Sequence, residues 1–531
     1  MVDDVFMTVS GVSTGGTASI ALAATAVDLS TSNVAASGDN VSALSSSASP
    51  STTTAQAGIK VTLGSTATTD DVYSNLATPY SLAWAAPPTD DISKQMENNL
   101  AAHAKTGLLS SLLNGLGSQL LGRFATTQRD FQQTVASYRS NPSSVGATTG
   151  AKALQSAQIS QNNISLKIYT KSGKEVDISI TFDGDGRALP DSLSIDVHTS
   201  GTLSAAEQAA IAKLSKGLDA ALQGISGGSP KIDFSGLVNF DTTVLSGIDL
   251  NVRQVPQFNG LRSIDLHVDA NRRSLAVQSK AGSISINVNL ATPALWGSAT
   301  QRQSAVQQYL NQFDAANQRA HGGAALLGQF KDAFSQLHSS YPAPGSIPAQ
   351  QPAHTLAISA LNAQDRSVLS GLADFKASMS GDFDNGSATK PITESGHIDY
   401  QVAQDTKIKG VAKSTGLSVL QTQTAKLVAS YAKSRGDLQF GIASGNYDIY
   451  RIKDETSTTT AFSYADDKLK SAFVINLVNQ SLHYEKLVDH KVVKETDTPH
   501  NTSDVQDISA QLKPSSWPDE AGENLFYRSI G

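Results

Sequence analysis

Between Ile164 and Leu290, apolar and polar residues alternate in runs long enough to predict strands. Ile164, Leu166 and Ile168 alternate with Ser165, Lys167 and Tyr169, the period of a half-buried strand. The polar loop Lys171-Ser172-Gly173-Lys174 leads into Val176, Ile178, Ile180 and Phe182, so the two runs predict a β-hairpin. Leu193, Ile195 and Val197 predict a third strand. The period then changes. Ser204-Ala205-Ala206-Glu207 reads as a capping box: the serine hydroxyl accepts from one free backbone N–H and the glutamate reaches back to another. Ala206, Ala210, Leu214, Leu218, Leu222 and Ile225 follow at steps of three or four and line one helix face. Gly217 interrupts that helix at roughly 1 kcal/mol relative to alanine. Alternation resumes at Ile248-Asp249-Leu250-Asn251-Val252. It continues through Ile264, Leu266 and Val268, then Leu275 and Val277, then Ile284, Ile286, Val288 and Leu290. Asn271-Arg272-Arg273 and Lys280-Ala281-Gly282 are the expected turns of this meander. Such a sheet buries one face, and the capped helix is its expected cover.

The rest of the chain is less regular. Residues 1–88 carry no periodicity, and Ser42 to Thr54 is almost entirely Ser, Thr and Ala, so this stretch is expected to be disordered. Residues 90–140 predict a helical segment, with Leu108, Leu109, Leu112, Leu113, Leu116, Leu120, Leu121 and Phe124 on a broad stripe continued by Phe131, Val135 and Tyr138. Gly115 and Gly117 interrupt it. The stripe fits a packed helix hairpin better than a membrane-surface helix, because Lys105 and Arg123 are the only basic residues near it. Residues 160–292 form the central α+β module, and residues 298–340 a second helical region broken at His321-Gly322-Gly323. Tyr341 to Pro352 reads as a linker. Residues 353–500 predict a second α+β, β-rich module. It opens on Leu361-Asn362-Ala363-Gln364-Asp365, a cap-and-acid pattern like that of the first helix. Leu417 to Lys433 reads as a helix. Tyr447 to Ile452, Thr459 to Tyr464, Ala472 to Val478 and His483 to Val493 read as strands, turning at Asp466-Asp467-Lys468 and Asn479-Gln480. Residues 501–531 read as a loose tail.

Composition narrows the class. Apolar residues are 39% and charged residues 16% of the chain, against averages of roughly 45–50% and 25%. The net charge is −7 and no Lys/Arg cluster is present, which argues against nucleic-acid binding. The chain has no cysteine, hence no disulfide and no thiolate metal site. No apolar run reaches the 18 or so residues of a membrane span, so membrane contact is not expected. The first lysine is Lys60, so the positive start of a Sec signal is missing. The uncharged, Ser/Thr-rich start resembles in composition the start of type III or flagellar-type export substrates. A secreted or cell-surface location by a non-Sec route is therefore favoured over a cytoplasmic one.

No motif carries a reaction. HExxH, GxxxxGK[ST] and a helix-opening GxGxxG are absent. Gly11-Val12-Ser13-Thr14-Gly15 matches GxSxG, but without the strand before and helix after that a nucleophile elbow needs. Asp183-Gly184-Asp185-Gly186 opens like a calcium loop, yet Arg187 and Ser194 stand where oxygen ligands belong, so a polar turn is expected. His483 and His490 are seven apart, not at helical ligand spacing, and Glu485, Asp489 and Asp497 read as solvated strand residues. No catalytic, cofactor-binding or metal residue is assigned, and no cofactor is expected. The fold class is α+β: antiparallel sheet modules covered by amphipathic helices, after a disordered N-terminal region. The expected function is that of a non-enzymatic bacterial structural or interaction protein, surface-associated or secreted, with a protein partner or self-association. Two alternatives remain: a polymer-acting (glycan) hydrolase with a site built from distant carboxylates, and a translocated effector or toxin.

Overall fold

A computed structural model describes residues 80–126, 130–139, 146–157, 162–183, 191–228, 231–254, 260–342, 361–386, 392–435 and 445–512. The expected disorder of residues 1–79, the GxSxG match and most of the tail lie outside the described residues, as do residues 184–190 of the acidic loop. The strands are β1 (Tyr80–Trp84), β2 (Phe131–Arg139), β3 (Asn162–Thr170), β4 (Glu175–Asp183), β5 (Ser192–Thr199), β6 (Leu245–Arg253), β7 (Leu261–Asp269), β8 (Arg272–Ser279), β9 (Gly282–Asn289), β10 (Asp374–Asp384), β11 (Glu394–Ala412), β12 (Gly416–Ser434), β13 (Tyr447–Ala465), β14 (Lys468–Val488) and β15 (Lys491–Asp507). They form one antiparallel sheet in the order β1-β2-β5-β4-β3-β6-β7-β8-β9-β10-β11-β12-β13-β14-β15. The helices are α1 (Asp91–Thr106), α2 (Leu109–Leu112), α3 (Leu116–Gly122), α4 (Gly146–Ala157), α5 (Ala205–Lys213), α6 (Ser215–Ser226), α7 (Ser235–Val238), α8 (Ala299–Ala320), α9 (Ala324–His338) and α10 (Ala363–Ser367).

One cross-strand row shows how the core is laid out. Val197, Ile178, Leu166, Leu250, Leu266, Leu275 and Ile286 are direct neighbours from β5 to β9, and all are buried. The same row continues as Ala377, Val402, Ala425, Thr456, Val478 and Thr502 from β10 to β15. The ladder is unbroken while the side chains shrink and then turn polar. Helix residues share the core of the first half: Leu100 of α1, Leu120 of α3, Leu218 of α6 and Phe330 and Phe334 of α9 belong to the same cluster as these strands. Helix α8 contributes Tyr309 and Phe313, which meet Phe375 and Tyr400 of β10 and β11 at ring separations of 5.0 and 5.8 Å. Arg319 of α8 then reaches the buried carboxylate of Asp454 on β13 through two nitrogens. On the opposite face, α4 sets Ala153 and Leu154 on Ala83, Ala136 and Tyr138 of β1 and β2.

The capping box at Ser204 forms, with Ser204 N donating to Glu207 Oε2 at 2.7 Å and Glu207 N donating to Ser204 Oγ at 3.3 Å. Hydrogen bonds from Ser172, Ser204 and Lys174 outweigh burial and hold the Glu207 carboxyl well below the usual range. The helix after it is not continuous: α5 ends at Lys213 and α6 starts at Ser215. It packs chiefly on other helices. A Cβ on Gly117 of α3 would stand 2.3 Å from the Asp219 backbone, and one on Gly217 would stand 2.6 Å from Gly236. Both glycines are therefore contact points between helices, not weak spots.

Several expectations change. Residues 80–84 form a strand, although the low-complexity start was expected to run to residue 88. Phe131 to Arg139 is a strand, not the end of a helix. Its apolar residues fall on both faces, Val135 towards the main core and Ala136 and Tyr138 towards α4, which mimics helical spacing. Gln133 is buried in it, donating to the Ala86 carbonyl at 3.0 Å and accepting from Ala86 N at 3.1 Å. Leu417 to Lys433 lies in β12, not in a helix. Gln421 and Gln423 occupy its buried face while Leu420 and Val428 face solvent, so the alternation is scrambled. Arg273 belongs to β8 and points inward, donating to the Leu337 carbonyl at 2.7 Å. Asn479-Gln480 lies inside β14, and the turn is Asp489-His490, both in the left-handed region at φ 47° and 62°. Asp466-Asp467 is also a two-residue turn, with φ of 55° and 58°. Residues 501–507 belong to β15, not to a tail. The two sheet modules are joined, since β9 pairs with β10 from Asp374↔Asn289 to Ser380↔Ser283. No helix among the described residues is long and apolar enough to cross a membrane.

Candidate functional site

Strand alternation places every second side chain of β6–β15 on the face away from the main core. Three histidines on that face have the same surroundings. In a strand, residue i+2 shares the face of residue i, and the cross-strand partner stands directly opposite. A His-x-Asp/Glu sequence facing an aspartate therefore gives each ring nitrogen its own carboxylate. His267 of β7 has Asp249 of β6 on Nδ1 at 2.5 Å and Asp269 on Nε2 at 3.0 Å. His397 of β11 has Asp382 of β10 on Nδ1 at 2.6 Å and Asp399 on Nε2 at 3.3 Å. His483 of β14 has Asp497 of β15 on Nδ1 at 2.7 Å and Glu485 on Nε2 at 3.0 Å.

All three imidazoles are held above their ordinary pKa. The main cause is the hydrogen bond to Asp269 for His267, to Asp382 for His397 and to Glu485 for His483. Burial opposes the shift in each case, and the second carboxylate adds to it. Asp269 itself is pushed up by burial, but hydrogen bonds from His267, Asn271 and Arg272 outweigh this and keep it low.

The third clamp differs from the other two. Glu495, directly opposite Glu485 across the ladder, comes within 3.6 Å of His483 Nε2. Arg451 of β13, the other cross-strand neighbour of His483, donates to Glu485 Oε1 at 2.6 Å. That contact first, then His483, holds the Glu485 carboxyl below the usual range. Among the described residues, His483, Glu485 and Glu495 are the group whose ligand atoms converge, all within 4.8 Å of one another.

Two concavities flank these rows. On the open face a trough of about 700 Å³ crosses β9 to β14, lined by Ser378, Gln401, Lys426, Glu455 and Asn479. On the helix side a cleft of about 350 Å³ lies between α8 and the outer strands, with Tyr309, Gln312, Gln423, Asn476 and His500 on its walls. Both mix hydroxyl and amide groups with apolar side chains, Val402 and Leu477 among them.

Of the residues weighed from sequence, the structure brings Glu485 and Asp497 onto His483 and leaves Asp489 and His490 in the β14–β15 turn. Asp183 ends β4, and Ser194 lies in β5 with its hydroxyl 2.8 Å from that of Thr134. Glu495 was not singled out. The signal available was the recurrence of His-x-Asp/Glu at 267, 397 and 483, each inside an alternating run. Comparison with known proteins gives no match to a family model, to a curated protein or to a solved structure.

Proposed function

We propose that the chain is a non-enzymatic structural or interaction protein that self-associates edge to edge through β15. One observation carries this: β15 is exposed along all 17 of its residues and has a strand partner on one side only. A free edge of this length is a template for another strand. A second copy of β15 is the occupant that its charges favour. In an antiparallel two-fold register centred on Pro499, Lys494 faces Asp504 of the other copy, Thr496 faces Thr502, Asp497 faces Asn501 and Val493 faces Val505. The lysine–aspartate contact occurs twice by symmetry. Lysine and proline on an edge discourage indiscriminate pairing. In this register the lysine is matched, and the proline falls on the dyad. Proline has no N–H, so Pro499 donates no backbone hydrogen bond at the dyad, and the pairing rests on the residues to either side of it.

A strand pair buries less than the roughly 1,200 Å² of a stable complex, so a weak dimer is expected, with a Kd on the order of micromolar or above. Sedimentation velocity over a concentration series should show a monomer–dimer equilibrium. Lys494→Asp should abolish it, and Lys494→Asp combined with Asp504→Lys should restore it. A chain that stays monomeric at every concentration, or a double variant no better than the single one, would falsify the reading.

A further inference from the structure

We propose that His483, Glu485 and Glu495 form a binding site for one divalent transition-metal ion of the zinc class. The argument starts from the contrast among the three clamps and does not depend on self-association. At His267 and His397 each ring nitrogen meets one carboxylate, so an imidazolium with two N–H groups completes the arrangement. At His483 the Nδ1 side is likewise complete, with Asp497 at 2.7 Å. The Nε2 side is not. Glu485 at 3.0 Å and Glu495 at 3.6 Å both approach one nitrogen, which carries one hydrogen at most. The two glutamates also stand directly opposite each other on neighbouring strands, a like-charge pairing that disfavours the ladder. A dication in place of that proton takes the nitrogen and one oxygen from each glutamate, and it neutralises the repulsion.

The dimensions suit such an ion. Bonds of about 2.0–2.1 Å in tetrahedral geometry separate ligand atoms by about 3.4 Å, and the observed separations from Nε2 of 3.0 and 3.6 Å lie on either side of that. Asp497 on Nδ1 supplies the outer carboxylate that orients a ligating histidine and presents Nε2 as the free lone pair. One imidazole with carboxylates suits zinc and its neighbours better than calcium or magnesium, which take all-oxygen shells of six or more. Three protein ligands leave the fourth position to water. Glu495 is 62% exposed, so it can swing the last fraction of an ångström towards the ion. Arg451 donates to Glu485 Oε1, the same oxygen that lies 3.0 Å from Nε2, so it holds that carboxylate in place and shares the oxygen with the ion. Its charge weakens the site, so affinity in the micromolar range is expected and not the tight binding of a buried structural zinc.

The full chain should be titrated with Zn²⁺ against a competing chromophoric chelator, and with Co²⁺ monitored by its visible d–d bands. One equivalent of Zn²⁺ should bind, and Co²⁺ should give a four-coordinate spectrum. His483→Ala and Glu495→Gln should each weaken binding at least 10-fold, and Asp497→Asn by about 10-fold through the lost orientation of the ring. His397→Ala removes a clamp without the extra glutamate and should leave binding unchanged. Glu495→Gln keeps the side-chain shape at an exposed position and removes the like-charge pairing, so its melting temperature without metal should not fall below that of the parent. The proposal is overturned if no Zn²⁺ binds at about 100 μM, two decades above a micromolar Kd. It is equally overturned if either His483→Ala or Glu495→Gln keeps the parent affinity.

Discussion

The β3–β9 and β10–β15 parts of the sheet are built on one ladder but held in place differently. In β3–β9 the strands run eight or nine residues, with one face packed into a core shared with the helices. From β11 onward they run 17 to 21 residues, and β15 is exposed on both faces. Along the row from Val197 to Thr502 the hydrogen-bonded register continues after the apolar burial has ended. Backbone pairing exchanges bonds to water for bonds to a neighbouring strand and nets only about 0.5–1.5 kcal/mol per bond. Burying a leucine contributes about 1.5–3 kcal/mol. Stability is therefore graded across the sheet, with the deepest part between α6 and β9 and the shallowest at β15.

Three substitutions test that gradient. The largest effect is expected at Leu218 of α6, which is 1% exposed within the main core. Leu218→Ala should cost about 2–5 kcal/mol and lower the melting temperature clearly in a calorimetric scan. A mild change there would mean that the helices do not hold the first half, and the contrast would collapse.

An intermediate effect is expected at His267, on the wet face of the helix-backed part. Asp249 of β6 and Asp269 of its own strand face it, Tyr169 of β3 donates to Asp249 at 3.0 Å, and Ser274 of β8 stands opposite. Because these partners raise the folded pKa above the ordinary 6.5, the protonated clamp stabilises fully below that value. The contribution is lost as pH rises through the raised value. Asp269, held below the usual carboxylate range, stays ionised throughout that window. His267→Gln should therefore cost about 1 kcal/mol at about pH 5.5 and progressively less as pH rises through the raised value. A penalty that grew with pH in chemical denaturation would reverse this account of the clamp.

The smallest effect is expected at Val505 of β15, 64% exposed at the free edge. Val505→Thr keeps the branched shape and should change monomer stability by less than about 0.5 kcal/mol. Hydrogen exchange sharpens the same point: amides of β14 facing β15 should exchange much faster than those of β6 facing β3. Equal protection would show that the outer strands are as firmly held as the inner ones.

What the amino-acid pattern made legible follows the same gradient. Where one face is apolar, as at Ile164 to Phe182 or Ile264 to Leu290, alternation reveals strand, turn and buried face together. Where burial fades, the pattern loses its meaning. Gln421 and Gln423 are buried and Leu420 is half exposed, so β12 reads as a helix. The turn at Asp489-His490 contains no glycine, while Asn479-Gln480 looks like a turn inside a strand. The histidine clamps depend on register as well as alternation. Asp497 was visible as a strand residue, but its place opposite His483 is set by where the β14–β15 turn falls. A turn misplaced by ten residues hides the pairing.

From β6 to β15, sheet order is also chain order. Each new strand needs only the one before it, and apart from β9–β10, whose connection carries α8 and α9, every pairing in this series closes a short loop and can form soon after the residues are made. The first strands lack that advantage. β1 pairs only with β2, and β2 reaches the rest of the sheet only through β5, so this pair must wait for β5 before it joins. The sheet therefore grows like a polymer from a late-closing start towards an open end, each strand serving as template for the next. Among the described residues, β15 is the template left unused at the growing end, as β1 is at the other edge.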